Sequence, residues 1–299
     1  MNWNPFKKKK PWVRFYSTHP GVAELYPWIP ASKVERKWRR DALKQEGNRT
    51  TKCPATKLRR LWEHQSALLN GREDGLDGMW NHAVTCPALT QLMDTGWVLQ
   101  CPADILIHMD GEGDTFEWIS QLQFDVGGPT YVKGHIEEQT RGMRELVTPG
   151  RPVMKQTIKL ELPWRVMAHP DLIFIQIPLP YYDEDRYSIP MGIVDPQITF
   201  EVNIQLFWHA LDNGEYMVKA GTPFCQWIPM SRQLLQRGAY DVIIEDANQH
   251  DLDNNKIMDY NRYNKFTETT TLKDRIEYQA QVLKPVSYTH LTLPTIYSV

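Results

Sequence analysis

The residues best suited to chemistry form a short His-x-Asp motif, His108-Met109-Asp110, at the end of an apolar stretch. Two imidazoles and one carboxylate are the ligands of the facial triad that holds iron(II) in many oxygenases. His169 or His209 could supply the second imidazole, and Lys219 could bind the carboxylate of 2-oxoglutarate. One hypothesis is therefore an iron(II)/2-oxoglutarate oxygenase, with Fe(II) as its cofactor.

The same motif has a simpler structural interpretation, in which His108 ends a strand and Asp110 opens a turn. The chain contains 9 histidines, and a second His-x-Asp motif occurs at 169–171, so such motifs arise by chance. We therefore favour the turn, and the oxygenase is the alternative.

A second candidate is Gln226, which lies in an apolar run that follows the Ala220-Gly221 turn. This arrangement resembles a late strand of the dUTPase and deoxycytidylate-deaminase fold, in which such a glutamine helps to shape a nucleotide site. The catalytic acidic motif of that fold and the zinc-deaminase signature are missing from the sequence. A nucleotide hydrolase is therefore a second alternative, with Gln226 and Lys219 as its candidate residues.

Other common catalytic motifs are missing from the 299 residues. The sequence contains no phosphate-binding loop, dinucleotide-binding glycine motif, nucleophile elbow or His-Glu-x-x-His zinc motif. The 4 cysteines form no Cys-x-x-Cys pair, which favours reduced thiols over a zinc site. No apolar window is long enough for a transmembrane helix, and we expect no secretory signal at the N-terminus.

Charge is unevenly distributed along the chain. Residues 1–60 hold 16 of the 34 Lys and Arg residues but only 4 of the 36 Asp and Glu residues. Such a segment could be attracted to an anionic partner. It could also be a solvated basic face. We favour this second interpretation because no nucleic-acid-binding motif accompanies the basic residues.

Hydrophobic periodicity sets the expected fold class. Alternating apolar residues at 12–16, 97–100, 104–108, 115–119 and from 156 to 228 predict strands, with Phe200, Val202, Ile204 and Leu206 on one buried face. The closely spaced strands favour an antiparallel sandwich or a jelly-roll-like barrel over a parallel α/β sheet. The sequence therefore predicts a mainly β protein, with N-terminal helices and a C-terminal helix.

The predicted helices divide the chain. Residues 1–95 form a basic arm and helices: one over Lys33–Lys44 with Ser32 as its N-cap, one over Thr56–Leu69 and one over Pro87–Thr95. Residues 96–245 form the β-sandwich core. Residues 246–285 form a polar loop and a helix at Lys273–Leu283. Residues 286–299 resemble the translation of a sequencing-library adapter, so we expect them to be non-native.

Several short motifs occur in a recognisable order along residues 12–235: Phe15-Tyr16, Pro30-Ala31-Ser32, Cys86-Pro87, Gly96-Trp97, His135 with Gln139, Pro163-Trp164, Gly192-Ile193-Val194-Asp195, the run from Ala220 to Pro229, and Arg232. Together they resemble a family of proteins encoded by marine tailed phages and some bacteria, related to a domain of unknown function. An insert around Lys57–His82 departs from the family pattern. The resemblance carries over no catalytic residues. It implies a viral gene product made in a bacterial cytoplasm.

The leading functional hypothesis follows from these observations. We expect a non-enzymatic β domain that binds a macromolecule, as a phage accessory or virion-associated protein located in the host cytoplasm or the virion. The partner is expected to be a protein, an anionic partner could contact segment 7–60, and no membrane partner is expected.

Overall fold

Strands with alternating burial dominate the computed structural model, which describes residues 10–42, 86–122, 131–135, 137–147, 149–236, 238–239 and 241–255. The strands are β1 (Val13–Ser17), β2 (Ile29–Pro30), β3 (Trp97–Gln100), β4 (Ile105–Met109), β5 (Phe116–Ser120), β6 (Val132–Gly134), β7 (Ile158–Ala168), β8 (Leu172–Pro178), β9 (Tyr187–Ser188), β10 (Gly192–Val194), β11 (Glu201–Trp208), β12 (Gly214–Val218) and β13 (Pro223–Ser231).

These strands pair into three antiparallel sheets. The first has the order β1-β7-β11-β9, with β6 also paired to β7, the second has the order β10-β8-β13-β3-β2, and the third has the order β12-β4-β5. None of the sheets in the described part of the chain closes on itself. The predicted fold class, mainly β with antiparallel layers, is confirmed in its sandwich form. Strands β1 and β2, which precede residue 96, also belong to these sheets.

One hydrophobic cluster joins the layers. Strand β7 shows why: it buries Ile158, Leu160 and Leu162 while the intervening Lys159 and Glu161 stay partly exposed. Buried side chains of all three sheets belong to the same cluster. Burial of apolar surface on this scale is the main force that holds layered sheets together.

Aromatic rings connect the first two sheets. Phe15 of β1 stacks on Trp28 with the ring centroids 4.3 Å apart, and Trp28 lies 4.9 Å from Trp227 of β13. Trp227 also packs 5.4 Å from Phe174 of β8. Because Phe15 comes from the first sheet and Phe174 and Trp227 come from the second, the burial of these rings fixes how the two layers meet.

Four short helices of the described residues lie between strands. They are α1 (Val22–Leu25), α2 at residues 37–42, α3 (Pro87–Asp94) and α4 (Glu137–Val147). The third confirms the helix predicted at Pro87–Thr95, with proline in its first turn. None of the described helices is both long and apolar enough to cross a membrane.

The chain divides into two compact units, the second beginning at Asp241. Of the second unit, the structure describes irregular residues 241–248 and a helix at 249–255. The predicted helices at Thr56–Leu69 and Lys273–Leu283 and the tail 286–299 lie outside the described residues.

Two sequence predictions were wrong in detail. The helix predicted from Lys33 starts at residue 37, and Ser32 lies within a 3-10 turn instead of capping it. The reason is Arg36, which is 2% exposed and donates hydrogen bonds to the carbonyls of Ala31, Val34 and Pro180. These bonds hold residues 34–36 out of the helix.

The second error concerns Phe200, which was predicted to share a buried face with Val202, Ile204 and Leu206. Those three side chains are fully buried, whereas Phe200 is 53% exposed. Strand β11 begins at Glu201, and its register against β7 shifts between Glu201 and Asn203. The extra residues of this irregularity lie on β7, between Glu161 and Arg165. Phe200 precedes the first residue of β11 at this irregular end of the pairing, and the buried face does not extend back to it.

Gly96 is a position where only glycine fits. It follows helix α3 with φ of +80°, and a Cβ placed there would lie 2.0 Å from the backbone oxygen of Trp227. The helix therefore ends directly against strand β13.

We predict that Gly96→Ala lowers the free energy of unfolding by about 3 kcal/mol or more, because it adds a backbone clash to left-handed strain. Gly21→Ala is the matched control, since Gly21 has φ of +81° but nothing within 4 Å of its added Cβ. This control should cost only about 1 kcal/mol. Urea unfolding of both variants measures the difference, and equal losses would contradict the close approach.

Candidate functional site

An apolar groove lies where strand β8 ends and strand β13 begins. Its volume is about 420 Å³, and its lining residues are Met143, Leu146, Pro178, Leu179, Tyr182, Glu184, Tyr187, Ser188, Ile189, Pro190, Met191, Pro223 and Phe224. Helix α4, strand β9 and the segment leading to β10 thus all contribute to its walls. A concave surface with mostly apolar lining and a few polar groups is typical of a binding site.

The described lining of the groove includes one carboxylate, that of Glu184, and its charge is already paired. The guanidinium of Arg186 donates to both oxygens of Glu184, with Nε at 2.8 Å and Nη2 at 2.5 Å. Arg186 also donates to the carbonyl of Met217 at 2.5 Å. These hydrogen bonds to Glu184 raise the pKa of Arg186. The pair forms a fixed polar border and leaves little net charge in the groove.

The second polar group is the Ser188 hydroxyl, whose Oγ lies 2.7 Å from Nε2 of His209. On the other side of the ring, Nδ1 of His209 lies 3.0 Å from the carbonyl oxygen of Pro152. Strand pairing creates this contact, because Ser188 lies opposite Phe207 on β11 and His209 follows that strand. The Ser188 hydroxyl, the His209 imidazole and the Pro152 carbonyl are therefore connected by two successive hydrogen bonds.

Burial favours the neutral form of His209. The side chain is buried, with the residue 7% exposed, and burial lowers its pKa. The nearby charge of Arg151 lowers the pKa further, while the bond to Pro152 acts in the opposite direction. Neutral imidazole has one donor nitrogen and one acceptor nitrogen.

Strand β10 borders the groove and forms the edge of the second sheet. It pairs with β8 on one side, and no strand of the described segments pairs with its outer side. Met191, which also lines the groove, is 73% exposed, and Ile193 on the strand is 54% exposed. Unpaired backbone groups beside exposed apolar side chains make this edge competent to pair with another strand.

Both ends of β10 are anchored. Before the strand, Gln176 Nε2 donates to the carbonyl of Pro190 at 3.1 Å. After it, Arg232 binds both carboxylate oxygens of Asp195, with Nη2 donating to Oδ1 at 2.6 Å. The bond to Arg232 lowers the pKa of Asp195. The edge is therefore held in one conformation.

The predicted metal ligands do not come together. His108 is an exposed residue on β4, and Asp110 accepts a hydrogen bond from the backbone N–H of Glu112, as expected of a turn. His169 lies between β7 and β8, where its Nδ1 accepts from the N–H of Asp171. In the described ranges, no three His, Cys, Asp or Glu side chains form a group that could hold a metal ion. The facial triad that would hold Fe(II) is therefore not assembled by these residues.

The two candidate residues of the nucleotide site, Lys219 and Gln226, also have different surroundings in the structure. Lys219 is exposed beyond the end of β12. Gln226 is fully buried, and its Nε2 donates to the carbonyls of Leu92 and Thr95, both at 2.6 Å. The amide thus satisfies carbonyls at the end of helix α3, a structural role. Neither residue lines the groove.

Two arginines in the described part of the basic segment make internal contacts. The buried Arg36 bonds to backbone carbonyls, and burial lowers its pKa. Arg39 pairs with Asp94 at 3.1 Å, and Trp38 donates to the carbonyl of Tyr181 at 2.9 Å. Segments 1–9 and 43–60 lie outside the described residues, so the expected contact with an anionic partner stays a prediction.

Sequence reasoning missed Ser188 and Gln176, because neither belongs to a recognisable motif. The sequence did indicate two other parts of the site, because Gly192-Ile193-Val194-Asp195 and Arg232 were among the motifs that carry the family resemblance. The structure pairs Asp195 with Arg232 across 37 positions of the chain. No protein-family model, curated protein or solved structure matches this chain.

The role of Gln226 leads to a prediction. Gln226→Ala removes the donor from two carbonyls at a buried position, and should lower the free energy of unfolding by about 2 kcal/mol. Gln197→Ala is the matched control, because Gln197 also donates to a backbone carbonyl, that of Ala168, but is exposed. Its effect should stay within about 0.5 kcal/mol. Thermal or urea unfolding measures both, and an unchanged stability of Gln226→Ala would refute the structural role.

Proposed function

We propose that this chain is a macromolecule-binding β domain whose partner is a protein. An extended apolar segment of the partner adds as a strand to the outer edge of β10, and its side chains enter the groove. One observation carries this proposal: the groove continues into β10, an edge strand whose outer side has no partner among the described strands. No covalent step takes part in this binding role.

The backbone of β10 identifies the class of partner. Free N–H and C=O groups along an edge are best matched by the N–H and C=O groups of another extended polypeptide. A lipid surface or a small apolar ligand could fill the groove but offers no such ladder. The exposed Met191 and Ile193 then supply apolar contacts on the same surface.

The anchors of the edge favour binding. Gln176 and Arg232 hold the two ends of β10 before any partner arrives. A preorganised site loses less conformational freedom on binding, so more of the interaction energy appears as affinity.

Charge argues against an anionic partner at this surface. Among the described residues that line the groove, Glu184 supplies the only carboxylate, and the adjacent Arg186 is already paired with it. An incoming phosphate would meet no free cation among these lining residues. An anionic partner, if one exists, would therefore contact the basic segment 7–60 instead.

The family resemblance supplies the biological setting of the proposal. It suggests an accessory or virion-associated protein of a phage, acting in the host cytoplasm or in the virion. Strand addition to an exposed edge is a common way for one protein to hold another.

Peptide selection tests the proposal. Short random peptides would be selected for binding to the full chain, and the affinity of the selected peptides would be measured by fluorescence anisotropy. We predict that Ile193→Lys weakens binding by more than about tenfold, because a charged side chain on an edge strand opposes strand addition. Ile119→Lys is the matched control, since Ile119 is 71% exposed on β5 of the third sheet, and it should leave binding unchanged.

A backbone test separates strand addition from simple groove filling. Methylation of alternate peptide nitrogens removes the ladder donors and keeps the side chains, so it should abolish binding in one of the two alternations. Equal binding of both methylated forms, or unchanged affinity of Ile193→Lys, would overturn the proposal.

A further inference from the structure

We propose that Ser188 is a nucleophile that His209 activates, and that it accepts an acyl group from an ester whose apolar acyl chain occupies the groove. This inference goes beyond the binding role, because it assigns a covalent chemistry to a hydroxyl that strand addition does not use. It depends on the Ser188–His209 geometry and on the position of Ser188 in the groove wall.

The hydrogen bond to Pro152 fixes which nitrogen of His209 carries the proton. A carbonyl oxygen can only accept, so Nδ1, 3.0 Å away, must donate to it. In the neutral ring, Nε2 then has a free lone pair directed at Ser188 Oγ, 2.7 Å away. The serine hydroxyl must donate its proton to this lone pair, which is the relation between a nucleophile and its general base.

A backbone carbonyl here takes the place that an acidic side chain takes in many serine nucleophile sites. In those sites the third group fixes the tautomer and the orientation of the ring. Pro152 does this for His209, and the backbone N–H of His209 also donates to the carbonyl of Arg186 at 2.7 Å. His209 is therefore held both through its ring and through its backbone N–H.

The surroundings determine the class of substrate. Ser188 shares the groove wall with Ile189, Met191 and Phe224, which offer contacts to an alkyl chain and no cation for a charged one. The volume of about 420 Å³ falls within the range of small-molecule pockets. An ester with a short alkyl acyl group fits this lining better than an anionic or sugar substrate does.

The chemical step balances without any co-reactant. Ser188 Oγ attacks the carbonyl carbon of the ester while its proton moves to Nε2 of His209. The bond between that carbon and the alcohol oxygen then breaks, and the alcohol leaves with the proton from Nε2. The products are an ester on Ser188 and a free alcohol, and attack by water through the same imidazole would release the carboxylic acid.

An alkyl fluorophosphonate, which reacts with activated serine hydroxyls, tests the inference on the full chain. We expect one covalent addition, and peptide mapping by mass spectrometry should place it on Ser188. Because mapping uses the unmodified sequence, this result does not depend on whether a variant folds. No labelling, or labelling at another residue, would overturn the proposal.

Variants then test the role of each group. Labelling should fall by more than about tenfold in Ser188→Ala and by about a hundredfold in rate in His209→Gln. Ser231→Ala is the matched control, because Ser231 is a partly buried strand serine that donates to Asp171 instead of to an imidazole. It should label like the unmodified chain. Equal labelling of His209→Gln would refute general-base activation.

The two proposals fail separately. An unmodified chain that binds the selected peptides but takes up no label at Ser188 would overturn the acyl chemistry and leave the binding role standing. Loss of peptide binding in Ile193→Lys with labelling intact isolates the binding surface.

Discussion

The buried amide of Gln176 is the interaction on which the rest of this structure depends. Gln176 lies on β8 and is 7% exposed. Its Oε1 accepts the indole N–H of Trp227 at 3.0 Å, and its Nε2 donates to the carbonyl of Pro190 at 3.1 Å. An unpaired indole N–H at the centre of the core would cost free energy, so the amide has a fixed role there. Through one side chain, the aromatic core is connected to the segment that forms the groove wall.

This connection explains why the binding edge is preformed. The indole N–H of Trp227 can only donate, so Oε1 of Gln176 must face it and Nε2 faces the carbonyl of Pro190. Pro190 is therefore held where the chain turns into β10, and Arg232 holds the other end through Asp195. An edge strand with only three residues would otherwise fray, because short strands gain little from their own ladder. The groove and the edge act as one surface because the same core supports both.

The sequence predicted the layers better than the site, for physical reasons. Alternation identified Val202, Ile204 and Leu206 as buried, because burial on one face imposes a period of two. It failed at Phe200, which precedes β11 where the pairing with β7 is irregular. It also failed at Ser32, where the hydrogen bonds of Arg36, including one to the distant carbonyl of Pro180, prevent a helix. Gln226 was recognised as unusual, but its partners Leu92 and Thr95 are more than 130 positions away. Ser188 and His209 form no motif, since their contact exists only after β9 pairs with β11.

Hydrogen exchange at the backbone amides of residues 192–194 tests the central claim most directly. The amides would be followed by NMR in the free chain and with a selected peptide bound. If β10 is a preformed edge that accepts a strand, any amide of the strand that points away from β8 becomes protected on binding, while any inward amide that donates to β8 is already protected in the free chain. Protection that develops at another edge, or inward amides that exchange freely without peptide, would contradict the account.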